Sequence, residues 1–290
     1  MLCMIELFDG TSSHWQYHLN GARRLLATID QGFEGRDTVD FRTFYRQLYH
    51  YLDSATTIST CHPPLFETPI EGSTCDQGLS PPNSCSDEEA LYGVPKQLFR
   101  FVDKLNGLAY QRKFREDPVF EKMFRASADI LENEIDQWSL NNVVDLSVLR
   151  SQGTSEEEAQ AQYATIAFEQ ALRLRLHQIV EGYSLQHHKV RECVGRILEA
   201  IQEIRYGSPL ENCLLFPLIL TGSSCQTDNE KLIIQDRLLI MERTLGFQYI
   251  HTAHELVQTV WKRRKECEGT EVDVNWASIR YYEIPGLALL

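Results

Sequence analysis

No apolar stretch in the 290 residues is long enough to cross a bilayer. The longest, CLLFPLIL from Cys213 to Leu220, is under half of the roughly 20 residues that a spanning helix needs. Basic residues are in deficit: 28 Lys and Arg stand against 41 Asp and Glu, giving a net charge of −13 at pH 7. Such a chain repels a phosphate backbone, which argues against direct contact with DNA or RNA. Cysteine is present but never at C-x-x-C spacing: the eight lie at 3, 61, 75, 85, 193, 213, 225 and 267. That pattern excludes a zinc knuckle and a dithiol redox motif. The opening MLCMIELFDG has no basic segment, and Glu6 and Asp9 interrupt its apolar residues, so it does not read as a secretion signal. Scattered cysteines without such a signal point to free thiols in a reducing compartment, the cytoplasm or the nucleus.

Motifs that carry chemistry are also missing. There is no G-x-S-x-G elbow to raise a nucleophilic serine. Neither a G-x-x-x-x-G-K-[ST] phosphate loop nor a G-x-G-x-x-G dinucleotide fingerprint occurs. Carboxylates are plentiful, but on acidic helices most of them form solvated faces. No catalytic residues are assigned, and the chain is not expected to be an enzyme.

The residues that are present read as helices. Trp15, Ala22, Leu26 and Ile29 form a stripe at helical spacing, with Leu19 beside it. Phe41 to Ala55 continues the pattern through Phe44, Leu48, Tyr51, Leu52 and Ala55, and further helices are expected over Lys96 to Phe114 and Pro118 to Trp138. Ser155 followed by three glutamates marks the start of a long helix, and Gly182 its end. That helix is apolar on two opposite sides, through Tyr163, Ile166, Ala167 and Leu174 and through Phe168, Leu172, Leu176 and Ile179. It must be sandwiched between other helices. Val190, Val194, Ile197, Ile201 and Ile204 predict the next one. Ser208-Pro-Leu-Glu211 reads as a capping box, with Pro217 expected to kink the helix that follows. Thr252-Ala-His-Glu255 reads as a second box, opening a helix that buries Leu256, Val257, Val260 and Trp261. Alternation at strand period is nearly absent, so the expected fold is all-α, a multi-helix stacked array.

One segment departs from this. FETPIEGSTCDQGLSPPNSCSDEEALYGVP, residues 66–95, is rich in Pro, Gly and Ser and carries six acidic and no basic side chains. Its apolar content is too low to offset the entropy of ordering it, and a long acidic disordered loop is expected there. The domain is otherwise expected to be single, spanning 1–290.

The histidines deserve separate treatment. His14 and His18 stand four apart, the spacing at which helical zinc hydrolases hold their metal, but Trp15 occupies the position where those enzymes place their glutamate base. Placed on the stripe, His18 lies on its shoulder and His14 further out, and both are expected to be packing or boundary residues. His251 and His254 bracket Thr252 and are not expected to share a face. His187 and His188 are adjacent and expected to point apart. No three ligands converge, so neither a metal site nor a cofactor is assigned. The run Lys262-Arg-Arg-Lys265 is a nuclear import signal, a contact for an acidic partner or, more simply, a solvated last helical turn whose cations favour the negative end of the helix dipole.

In combination the motifs resemble a known family. The order is W-Q-Y-H-L-N-G-A-R-R-L-L at Trp15 to Leu26, Y-L-D at Tyr51 to Asp53, P-P-L-F at Pro63 to Phe66, L-F-P-L-I-L-T-G at Leu215 to Gly222, D-R at Asp236 and Arg237, and V-W at Val260 and Trp261. This is similar to the C-terminal regulatory domain of fungal zinc-cluster transcription factors, over nearly the whole chain. The resemblance implies an all-helical domain that serves transcription regulation in the nucleus and responds to metabolic state through a small-molecule effector or protein partners. It also implies that Trp15, His18, Gly21 and Ala22 pack one helix, with Gly21 and Ala22 admitting a neighbouring backbone. Pro217 and Gly222 would shape a central helix, and Trp261 would anchor the last long one. The six-cysteine DNA-binding cluster and its coiled coil are missing, and Thr221-Gly-Ser-Ser-Cys225 replaces the Ala-Gly-Cys-Glu-like stretch usual after the proline. The sequence therefore reads as a truncated gene product, a fragment, or a stand-alone regulator that lost its DNA-binding half. Two alternatives stay open: an interaction module that modulates a full-length zinc-cluster factor, and a helical metabolite-binding protein or enzyme.

Overall fold

The structure is a computed structural model that describes residues 14–32, 44–46, 48–49, 52–53, 93–143, 149, 155–267 and 273–287, together with residues 6 and 9. The acidic stretch 66–95 lies outside them except for its last three residues, as do Tyr51, Ala55 and Pro63 to Phe66. The described part is helical and contains no strand. In chain order, α1 is Trp15–Gly32, α2 Gln97–Gln111, α3 Pro118–Asn142, α4 Glu156–Glu181 and α5 His188–Gln202. They are followed by α6 Leu215–Gly222, α7 Asp228–Leu245, α8 Gln248–Glu266 and α9 Trp276–Glu283. Short 3-10 segments at Arg112–Phe114 and Pro209–Leu214 precede α3 and α6.

Helix α4 is the spine, and its ends follow from local chemistry. The Ser155 hydroxyl accepts from the Glu158 amide at 3.3 Å while the Glu158 carboxylate accepts from the Ser155 amide at 3.4 Å. Gly182 stops the helix at a φ of 97°, where a side chain would be strained. Between these ends both apolar faces are buried, against α2, α3, α5, α6 and the second 3-10 segment. Two layers of helices therefore sandwich α4, as its two-sided pattern requires. Polar side chains are caught in the sandwich: Glu169, Gln170, Arg175, His177 and Gln178 are all buried.

Three local signals are overruled by packing. Helix α8 begins at Gln248, with Phe247 at its uncapped start, so Thr252 lies inside it and bonds the Gln248 carbonyl at 3.1 Å. Aromatic contact between Phe247 and Tyr249, whose ring is buried, takes the chain into the helix five residues earlier than the Thr-x-x-Glu pattern predicts. Ser208 does cap its segment, accepting from Leu210. Its expected partner Glu211, however, is completely buried and turned to Arg237. Pro217 does not kink a helix, because the chain is in 3-10 form up to Leu214 and the α-helix starts only at Leu215. The proline then falls in the first turn, where it breaks no hydrogen bond.

A smaller apolar cluster joins Trp15 and Leu19 of α1 to Tyr49 and Leu52, with Ala22, Leu26 and Leu48 packed against it. Phe44 is exposed instead of joining this stripe. The Trp15 indole donates to the Gly286 carbonyl at 3.1 Å, tying α1 to the segment after α9. Gly21 is exposed, and a side chain there would meet nothing within 4 Å, so among the described residues it admits no neighbouring backbone. The close approach occurs at Gly222, against the side chains of Val257 and Ile234.

Candidate functional site

Helices α3 and α4 and the start of α5 enclose a cleft of about 420 Å³. From α3 come Arg125, Ala128, Asp129 and Glu132; from α4 come Leu176, His177, Val180 and Glu181; His187, His188 and Lys189 close it. Ion pairs cross the cleft, Lys189 to Glu132 at 2.6 Å and Arg125 to Glu181 at 3.2 Å. His177 is 6% exposed and makes no hydrogen bond to any described residue. Burial pushes its imidazole down to about 4, with Lys189, His187 and Arg173 acting in the same direction and Glu132 against it. The ring is neutral at pH 7, with one nitrogen a donor and the other an acceptor.

The adjacent histidines do not point apart. His187 is the extended residue ahead of α5 rather than part of it, and its ring lies 4.9 Å from that of His188, tilted by 32°. Helical geometry, on which the expectation rested, does not apply at an N-cap. Nδ1 of His187 is buried and unpartnered. The His187 side chain does not cap α5, and no acidic residue stands in its first turn.

The other described histidines lie outside the cleft. His14 is exposed, 6.2 Å from the Tyr17 ring, while His18 is half-buried and 3.4 Å from Glu6. His251 and His254 both lie within α8 and share Glu242, at 3.7 and 2.7 Å, contrary to the expectation that they diverge. Among the described residues no group of three His, Cys, Asp or Glu side chains is placed to hold a metal ion. No described helix is long and apolar enough to cross a membrane.

The motif residues converge on the core. The Trp261 indole donates to the Gly222 carbonyl at 2.7 Å. A Cβ on Gly222 would lie 2.9 Å from Val257 and 3.0 Å from Ile234, so α6 meets α7 and α8 at distances only glycine permits. Arg237 is buried with Glu211 at 3.0 Å, donates to the carbonyls of Ile201 and Ile204, and lies under the Tyr206 ring at 4.2 Å. Burial pulls the Arg237 guanidinium down and pushes the Glu211 carboxyl up, each opposed by the other's charge. The basic run is the end of α8: Arg263 pairs with Glu283 at 2.8 Å, and Arg264 reaches the Ser223 carbonyl, with burial bringing it down to about 10.

His177 and the true partner of Glu211 are invisible to motif reading. The one local hint of the former is a polar residue within a helix that is apolar on two sides.

No curated protein and no solved structure matches the sequence. A family model described as "Fungal specific transcription factor domain" matches residues 1–282, and that family is one of transcription-factor domains rather than of enzymes. With the match spanning almost the entire chain and the fold helical throughout the described residues, the chain belongs to the fungal-specific transcription factor domain family.

Proposed function

We propose that the chain is the effector-responsive regulatory domain of a zinc-cluster type transcription factor, acting in the nucleus through protein partners, without catalysis and without a metal or cofactor of its own. The observation that carries this reading is the family match over residues 1–282. The acidic balance supports it, since a chain with net charge −13 acts on transcription through proteins rather than by gripping DNA. Val119, Met123 and Ile130 stand exposed along one side of α3, an apolar strip of the kind that protein contacts use. A single domain over 1–290 is supported by the bond from Trp15 to Gly286, which joins the first long helix to the last described segment.

The test is a fusion of the chain to an unrelated DNA-binding domain, read on a matching reporter in a fungal cell. A change in reporter output of several-fold in either direction is expected, together with nuclear accumulation of a fluorescently tagged copy. Output equal to that of the DNA-binding domain alone, with the tagged chain excluded from the nucleus, overturns the reading.

A further inference from the structure

We propose that the cleft between α3, α4 and the start of α5 binds a small zwitterion, a free α-amino acid, with its carboxylate at the amino end of α5 and its ammonium at Asp129. This deepens the effector-responsive reading of the chain.

The argument starts from what the cleft leaves unsatisfied. Its two fixed cations, Lys189 and Arg125, are already matched by Glu132 and Glu181. The first amides of α5 are not: His187 offers them no side-chain cap, and no acid follows. Uncapped amides with the positive end of a helix dipole form a ready place for a carboxylate. His177, more than nine-tenths buried and without a hydrogen bond among the described residues, lines the same space. Nδ1 of His187 is a buried polar atom without a partner. A buried polar atom left in this state, beside a nearly buried imidazole that lines the same cleft, points to a missing hydrogen-bonding occupant.

The other pole is acidic. Asp129 lines the cleft on α3 and has no ion-pair partner among the described residues. It sits one turn from Glu132, whose carboxylate is held by Lys189 of α5, so the acid and the helix end line the same cleft. A simple anion would meet Asp129 and a simple cation would meet the α5 amides; a zwitterion satisfies both. Ala128, Leu176 and Val180 provide apolar wall for an aliphatic portion, and about 420 Å³ lies within the range of small-ligand sites.

The experiment is calorimetric titration of the purified full chain with each free proteinogenic amino acid, then with the N-acetyl and methyl-ester derivatives of the tightest. Saturable binding is expected for at least one, weakened about tenfold or more when either charge is blocked. Asp129→Asn removes the ammonium partner and is expected to weaken binding similarly. His187→Asp supplies the absent cap, so it is expected to raise the melting temperature while abolishing binding, a combination that misfolding cannot produce. No saturation by about 10 mM for any amino acid overturns the proposal. So does equal binding of a charge-blocked derivative, or binding indifferent to both substitutions. Binding without any reporter response would overturn the transcription reading and leave this one standing.

Discussion

The indole nitrogen of Trp261 on α8 donates to the carbonyl of Gly222 at the end of α6, 2.7 Å away and 39 positions earlier in the chain. The bond forms because Gly222 lets the two helices close on each other, with Val257 against the place where a side chain would begin. Adding one carbon there forces a shift of branched side chains that are completely buried. Gly222→Ala is expected to destabilise the fold by about 1–3 kcal/mol, measured by urea unfolding. Val257→Ala in the same chain should recover part of that loss, whereas a purely conformational effect of glycine would not respond to it.

Arg237 and Glu211 make a second prediction. Both are buried, and the guanidinium also satisfies two carbonyls at the end of α5. Removing one charge strands the other, so Arg237→Met is expected to cost about 3–5 kcal/mol. The double substitution with Glu211→Leu should cost clearly less than the sum, because no uncompensated charge remains. Additive losses in a double-mutant cycle would contradict the pairing.

A third concerns pH. His177 has its folded value lowered from 6.5 to about 4 by burial, facing Glu132 of α3, Lys189 of α5, His187 ahead of it and Arg173 of its own helix. The unfolded chain therefore binds a proton that the folded chain refuses between these values. The contribution is complete above about pH 6.5 and is lost as the pH falls towards 4, by a few kcal/mol at most. Unfolding free energies measured from pH 7 to 4.5 should fall less steeply in His177→Phe. An unchanged slope would show that the ring is not the group responsible.

Thiol reactivity gives a fourth. Burial pushes Cys193, Cys213 and Cys225 up to about 12, leaving almost no thiolate at neutral pH, while Cys267 is only half-buried. Brief maleimide labelling of the native chain, read by peptide mass spectrometry, should modify Cys267 well ahead of those three. Early labelling of Cys225 would mean that the turn after α6 opens.

Helical class, the ends of α4 and the burial of both its faces are legible in the residues because they depend on neighbours three or four positions away. The Ser155–Glu158 box and Gly182 behave as written. Failures occur where a distant partner competes for the same group. Glu211 is drawn from its box by Arg237 and Thr252 is absorbed into an earlier helix start. His187 leaves helical geometry, bringing its ring to that of His188. The cleft was illegible for the same reason: its lining comes from three elements, and His177 belongs to no motif.

Composition and periodicity thus determined the kind of molecule this is, an acidic helical chain with its longest helix in the middle, since propensity, capping and amphipathic spacing act within a few residues. Tertiary packing alone decided which glycine admits a neighbour, which arginine is buried and where unsatisfied polar atoms gather. Burial and the matching of charges are settled between segments tens of residues apart, and no local pattern records them.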